Sequence, residues 1–209
     1  MDRFTPGLAA YFSAVLLAFT GFGVFFAPLP AYLSELGFGS DGIFGLYLAL
    51  NAAAAVCFGR VGWLVDRFGL LRVHAGSLLL RAAALPLVAV VGAAAAGSLL
   101  GVGVVTGAFV VIGLTWAVIS VTAATLVTRL SPAVIRGEAL GVYSALSTVA
   151  SGVGSVVGGW LAATGYARAF GLAGGLIVGS VGVVLLLHRR VRDGSTAAER
   201  TVYSADRTE

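Results

Sequence analysis

Two groups of residues in this chain have the types and spacing to do chemistry. The denser one is Gly62-Trp63-Leu64-Val65-Asp66-Arg67-Phe68-Gly69-Leu70-Leu71-Arg72. Asp66 and Arg67 are adjacent opposite charges, Arg72 adds a second cation, and Gly62 and Gly69 bracket the pair. Gly62 thins the chain so that a neighbour can approach, and Gly69 permits a turn with positive φ. Asp66 is placed to meet the positive N-terminal end of a nearby helix, an attraction of about 0.3–1 kcal/mol. Arg67 and Arg72 supply the opposing charge. A contact of that kind holds in one conformation and breaks in another, so the group reads as a gating latch. Read more plainly, it is a solvated loop pair that only fixes topology.

The second group is Arg81 with Asn51. Arg81 stands well inside an apolar run, near the middle of a lipid bilayer if that run spans one. Charge there costs from about 2.5 to well over 10 kcal/mol. Asn51 and Arg81 lie 15 residues on either side of Asp66, which puts them at equal depth in an antiparallel hairpin. The expectation is an Asn51–Arg81 contact or a shared polar pocket. It would either tie two helices together or hold a solute.

Other chemistries find no residues. Cys57 is the only cysteine and sits in an apolar run, where it reads as a small buried hydrophobe. No nucleophile–base pair, phosphate-binding loop or metal-ligand spacing occurs, so no catalytic residue, metal or cofactor is expected. No Asp or Glu lies deep in any apolar run, so no proton-relay carboxylate is visible. His74 and His188 fall near the ends of such runs, His74 at the cytoplasmic border.

The elements that position these residues follow from composition. Of 209 residues, 59% are hydrophobic and 11% charged, with mean hydropathy +1.01. A soluble domain keeps about a quarter of its residues charged. Too little polar material is present to cover a water-facing surface, and the chain reads as an integral membrane protein. A bilayer core takes about 20 apolar residues in a helix. Six stretches qualify: about Leu8–Leu33, Ile43–Val65, Leu70–Val91, Leu99–Val127, Leu140–Ala163 and Ala167–Leu187. The first is too long for the apolar core of a signal peptide. Pro28 and Pro30 should loosen its last turns.

The fold expected is all-α, a polytopic membrane protein with residues 8–188 as a six-helix domain. Residues 1–7 form a short N-terminal segment, and residues 189–209 a polar, disordered tail. All 13 basic residues are Arg, scattered over short loops rather than gathered on one face, which excludes a nucleic-acid footprint. They alternate between loops, with Arg168 the exception, and place both termini in the cytoplasm of a cell (cytoplasmic) membrane protein. Gly62-Trp63-Leu64 at the end of the second run is echoed by Gly159-Trp160-Leu161 at the end of the fifth, 97 residues on. That offset suggests a 3+3 inverted repeat. Small-residue ladders at Gly103/Gly107, Gly154/Gly158 and Gly171/Gly175/Gly179 read as faces for close helix packing.

The Gly62–Arg72 stretch resembles the loop signature of the major facilitator superfamily, between helices 2 and 3 of a six-helix half. The likeness departs at Leu70 and Leu71, where that signature usually carries two basic residues, and this favours the second half of a full transporter. Pro132-Ala-Val-Ile-Arg136-Gly137-Glu138-Ala-Leu-Gly141 is similar to the family's loop at the entrance to helix 5. Ser151-Gly-Val-Gly154-Ser-Val-Val-Gly158-Gly159 is similar to its glycine-rich helix 5 or 11. The resemblance covers Leu8 to Leu187. It implies alternating access by two six-helix halves, with this chain supplying one; the chain is then a fragment, or pairs with another copy or a separate half. It also places helices 1 and 4 along the cavity, so that Thr20, Thr115, Trp116 and Ser120 would face solute. The plainer reading has the hydroxyls bonding their own helices and Trp116 packing. Helix 3 is peripheral in the family, which favours a structural role for Arg81.

The functional expectation is transport of a small solute, in contact with lipid and a second six-helix half. The scarcity of charge points to a hydrophobic or neutral solute. The alternative is a non-transporting six-helix module, an assembly or sensor subunit. A membrane-embedded enzyme is disfavoured by the missing catalytic constellation.

Overall fold

The structure, a computed structural model, describes residues 5–94 and 98–205, without the side chains of 91–93 and 188–205. Eight helices carry the described chain: α1 Pro6–Phe26, α2 Leu29–Glu35, α3 Ser40–Phe58, α4 Val61–Phe68, α5 Leu70–Ala94, α6 Leu99–Leu130, α7 Arg136–Ala162 and α8 Tyr166–Ala205. No strand occurs among the described residues. Six stretches are long and apolar enough to cross a membrane, α1 and α2 together forming the first. The all-α, six-span expectation holds.

Local chemistry accounts for the helix ends. Thr5 caps α1 by accepting from the Leu8 amide at 3.2 Å, and Pro6, needing no donor at the first position, follows it. Ser98 caps α6 in the same way through the Gly101 amide. The first span breaks between Phe26 and Leu29, where Pro28 stands. The second expected span does not run unbroken to Val65. It stops at Phe58, and Gly59 and Arg60 turn the chain before α4 starts at Val61. The Arg60 amide bonds the Cys57 carbonyl at 2.8 Å, tightening the last turn, and its guanidinium caps the Val56 carbonyl at 3.0 Å. Gly69 ends α4 with φ +86°, as its position after Phe68 predicts.

Past the apolar run, α8 continues helical to Ala205, where the sequence reading expects a disordered tail. Extending an existing helix fixes one residue per hydrogen bond and avoids the cost of a new nucleus. Residues 206–209 lie outside the described residues.

The bundle is held by backbone proximity. In lipid the apolar side chains gain little by meeting one another, so helices associate through close packing. At Gly23, Gly154 and Gly158 an added Cβ would run into the Ser151, Thr20 and Val24 carbonyls. These glycines let α1 and α7 touch main chain to main chain. Gly113 does the same for α6 against the Leu50 carbonyl of α3. The ladder at Gly154/Gly158 is therefore a packing face. Gly103, Gly107, Gly171 and Gly175 have nothing within 4 Å of a Cβ, and Gly179 meets only the Leu17 side chain at 3.9 Å, so these ladders do not bring backbones together within the described chain. Spacing alone cannot tell a packed glycine face from one turned outward.

Helix α1 packs on α7 and α8, α6 packs on α3 and α5, and α5 also meets α8. The α3–α5 hairpin implied by the sequence is not a packed pair; α6 contacts both. Polar ties fix the two ends of the bundle. Thr5 at the head of α1 donates to the Leu130 carbonyl at the foot of α6 at 3.0 Å. At the opposite end Tyr166 donates to Glu35 at 2.7 Å, and Tyr32 to the Ala89 carbonyl at 2.6 Å.

Candidate solute cavity

A cavity of about 310 Å³ lies between α1, α3, α6 and α7. Phe19, Phe22 and Phe26 line it from α1, and Tyr47, Leu50 and Asn51 from α3. Ile112 and Trp116 of α6 and Ser151 and Ser155 of α7 complete the wall. Helix α5 adds one residue, Arg81. The aromatic side is ordered by edge-to-face contacts, with Phe19 and Phe22 each 6.3 Å from Trp116 between ring centres.

Arg81 is fully buried, at 0% exposure, and its guanidinium is held from several sides. Its Nε donates to the Thr115 hydroxyl at 3.1 Å, and Nη2 donates to the Ile112 carbonyl. Its Cζ lies 4.7 Å from the Phe22 ring centre and 5.5 Å from that of Trp116. Both rings offer a negative face to the cation. Nη1 has no hydrogen-bond partner. The Thr115 hydroxyl can serve as acceptor because it donates back to its own helix, at the Val111 and Ile112 carbonyls.

Asn51 and Arg81 both line this cavity, without a direct hydrogen bond between them. The Asn51 amide is spent on the Tyr47 carbonyl at 2.7 Å, while Arg81 turns to α6. Trp116 is a cavity wall, and Thr115 acts through Arg81. Thr20 and Ser120 are not among the lining residues. The Thr20 carbonyl packs on Gly154, and the Ser120 hydroxyl donates to the Trp116 carbonyl at 2.8 Å.

The loop cluster is differently placed. Gly62, Asp66, Arg67, Gly69 and Arg72 are all exposed. Arg67 lies 5.6 Å from the ring centres of both Trp63 and Phe68. Among the described residues no ion pair joins Asp66 to Arg67 or Arg72. No group approaches Gly62 within 4 Å of a Cβ. Arg72 lines a second, more open hollow of about 570 Å³ with Cys57, Phe68, Leu80 and Val118. Arg136 and Glu138 are exposed in the first turn of α7, where Glu138 suits the helix dipole.

A buried polar relay centred on His74 lies outside the expected site residues. His74 is 3% exposed, sealed inside rather than bordering water. Its Nδ1 lies 2.8 Å from the Thr122 hydroxyl and its Nε2 lies 3.3 Å from the Tyr11 hydroxyl. Thr122 already donates to the Val118 carbonyl at 2.6 Å, so Nδ1 carries the proton and Nε2 accepts from Tyr11. The relay ties α1, α5 and α6 together. Its signal in the sequence was the shared depth of Tyr11, His74 and Thr122 from the same end of the bundle. His188 lies outside the described side chains. Ser151 and Ser155 were also missed as wall residues, since their glycine neighbours read only as packing.

A family model described as Major Facilitator Superfamily matches residues 11–204. No curated protein matches the chain.

Proposed function

For a chain that belongs to the major facilitator superfamily, as the match over residues 11–204 shows this one does, we propose that its six spans are one half of an alternating-access transporter. The protein is a multi-pass membrane transporter. Its half-transporter status, its solute path and its orientation form the proposal. The observation that carries it is the cavity, walled by four helices and holding a fully buried cation with a spare donor. Cavities with mostly apolar walls and a few fixed polar groups are what small solutes occupy.

Three further features support the reading. Helix α1 packs on α7 and α8 as α6 packs on α3 and α5, the exchange expected if the first three spans and the last three are 3+3 inverted copies. Helices α3 and α7 keep large apolar residues exposed, among them Phe44, Leu48, Val153 and Val156, leaving surface for lipid and a second half. Arg67, Arg72, Arg129 and Arg136 mark one end of the bundle, the end tied by Thr5 and Leu130, and the positive-inside rule supports reading that end as the cytoplasmic side of a cell membrane. Asp66, exposed and unpaired, is then the free side of a latch whose other side is contributed by the second half.

Uptake into vesicles reconstituted with this chain and a second half tests the proposal. Uptake should fall on Asp66→Asn. Vesicles in which the chain stays monomeric and moves no solute would instead support an assembly or sensor module.

A further inference from the structure

Among the described residues, no carboxylate pairs with the guanidinium of Arg81. None of the nine Asp and Glu residues lies within an apolar run away from its ends. Two of its five N–H donors are committed, to Thr115 and to the Ile112 carbonyl, and both acceptors are neutral. The rings of Phe22 and Trp116 offset part of the cost of burial but carry no net charge. Nη1 bonds nothing. A buried cation left in this condition favours an anion as ligand, because a charge-assisted bond there both satisfies the donor and neutralises the site.

The rest of the wall narrows the class. Asn51, Ser151 and Ser155 are neutral, so charge recognition rests on one guanidinium. A phosphate dianion would leave a net negative charge beside a single cation in an apolar setting. A carboxylate balances it one to one, and its two oxygens match the planar edge of the guanidinium. The remaining wall, chiefly Phe19, Phe22, Phe26 and Trp116, is suited to an apolar body of about ring size. The charge-bearing group of the wall, Arg81, and the aromatic residues around it all belong to this chain.

We propose that Arg81 is the anion-recognising residue of this cavity and that its ligand is an organic monocarboxylate with an apolar body. The proposal rests on the transporter reading for its biological use, but binding alone decides it. It also reverses the neutral solute suggested by the scarcity of charge in the sequence.

The test is calorimetric titration of the full chain in lipid nanodiscs with 3-phenylpropionate and with its uncharged amide. The acid should bind at least about tenfold more tightly than the amide, the discrimination expected where a buried donor is left unpaired by the wrong ligand. Arg81→Met should abolish that preference, and Arg81→Lys should retain part of it. Should Arg81→Met fail to fold, the acid–amide comparison on the unaltered chain still decides. Equal binding of acid and amide, no binding of either, or a preference that survives Arg81→Met would overturn the proposal. Acid binding without uptake by paired halves would sink the transporter reading and leave this one standing. Uptake of a neutral solute with no acid preference would do the reverse.

Discussion

The cluster around Asp66 and the centre around Arg81 lie on consecutive helices and hold arginine charge under opposite conditions. In the loop, Asp66, Arg67 and Arg72 stand in the open, and Arg67 rests against its own neighbours Trp63 and Phe68. In the cavity, Arg81 is sealed, bonded to α6, set over two rings, and left with Nη1 lacking an acceptor. An exposed charge is screened and worth little until a partner desolvates it. A buried charge already costs stability and is retained where it does something. Among the described residues, then, the Asp66 cluster holds exposed charges that nothing pairs, and Arg81 holds a buried donor that nothing satisfies.

The contrast can be broken most severely at Arg81. Replacing it with Met removes the charge while keeping an apolar chain of similar length. Uptake by paired halves should drop by at least about tenfold, equivalent to about 1.4 kcal/mol, while the melting temperature in detergent holds or rises. A large loss of melting temperature together with uptake would mean that Arg81 is mainly a structural tie.

Thr115→Val comes next. It removes the acceptor of Arg81 Nε without changing shape much, leaving a buried donor unpaired. Denaturant unfolding should show a loss of about 1–3 kcal/mol. An unchanged midpoint would indicate that Arg81 readily finds another acceptor.

The loop should respond only where its backbone is constrained. Gly69→Ala places a Cβ on a residue at φ +86° and ψ 141°, a region essentially reserved for glycine. A loss of about 1–3 kcal/mol is expected from the same unfolding measurement. The smallest effect belongs to Asp66→Asn and Gly62→Ala in the isolated chain, both within about 0.5 kcal/mol of the parent. Asp66→Asn should then lower uptake once the second half is present. A large melting shift in the isolated chain would show that the latch already closes within one half.

Much of this layout was legible beforehand. Six apolar runs could be satisfied only as membrane-spanning helices, Pro28 was marked as a weak point in the last turns of the first, and Gly69 was marked as a positive-φ turn. Asn51 and Arg81 both line the cavity, although the α3–α5 hairpin from which their equal depth was argued is not a packed pair. Facing was not legible. Gly154 packs and Gly171 does not, though both sit in similar ladders. The break at Gly59–Arg60 was hidden because Trp63, Leu64 and Val65 continue the hydropathy of the run.

The sequence by itself determined what must lie in lipid and which loops carry charge, because those depend on transfer free energies that residues bear individually. Only the tertiary structure decided that α6, rather than α3, receives Arg81, that Ser151 and Ser155 line its cavity, and that His74 is sealed between Tyr11 and Thr122. In a bilayer the packed and lipid-facing sides of a helix are equally apolar, so the choice between them is made by where backbones fit together.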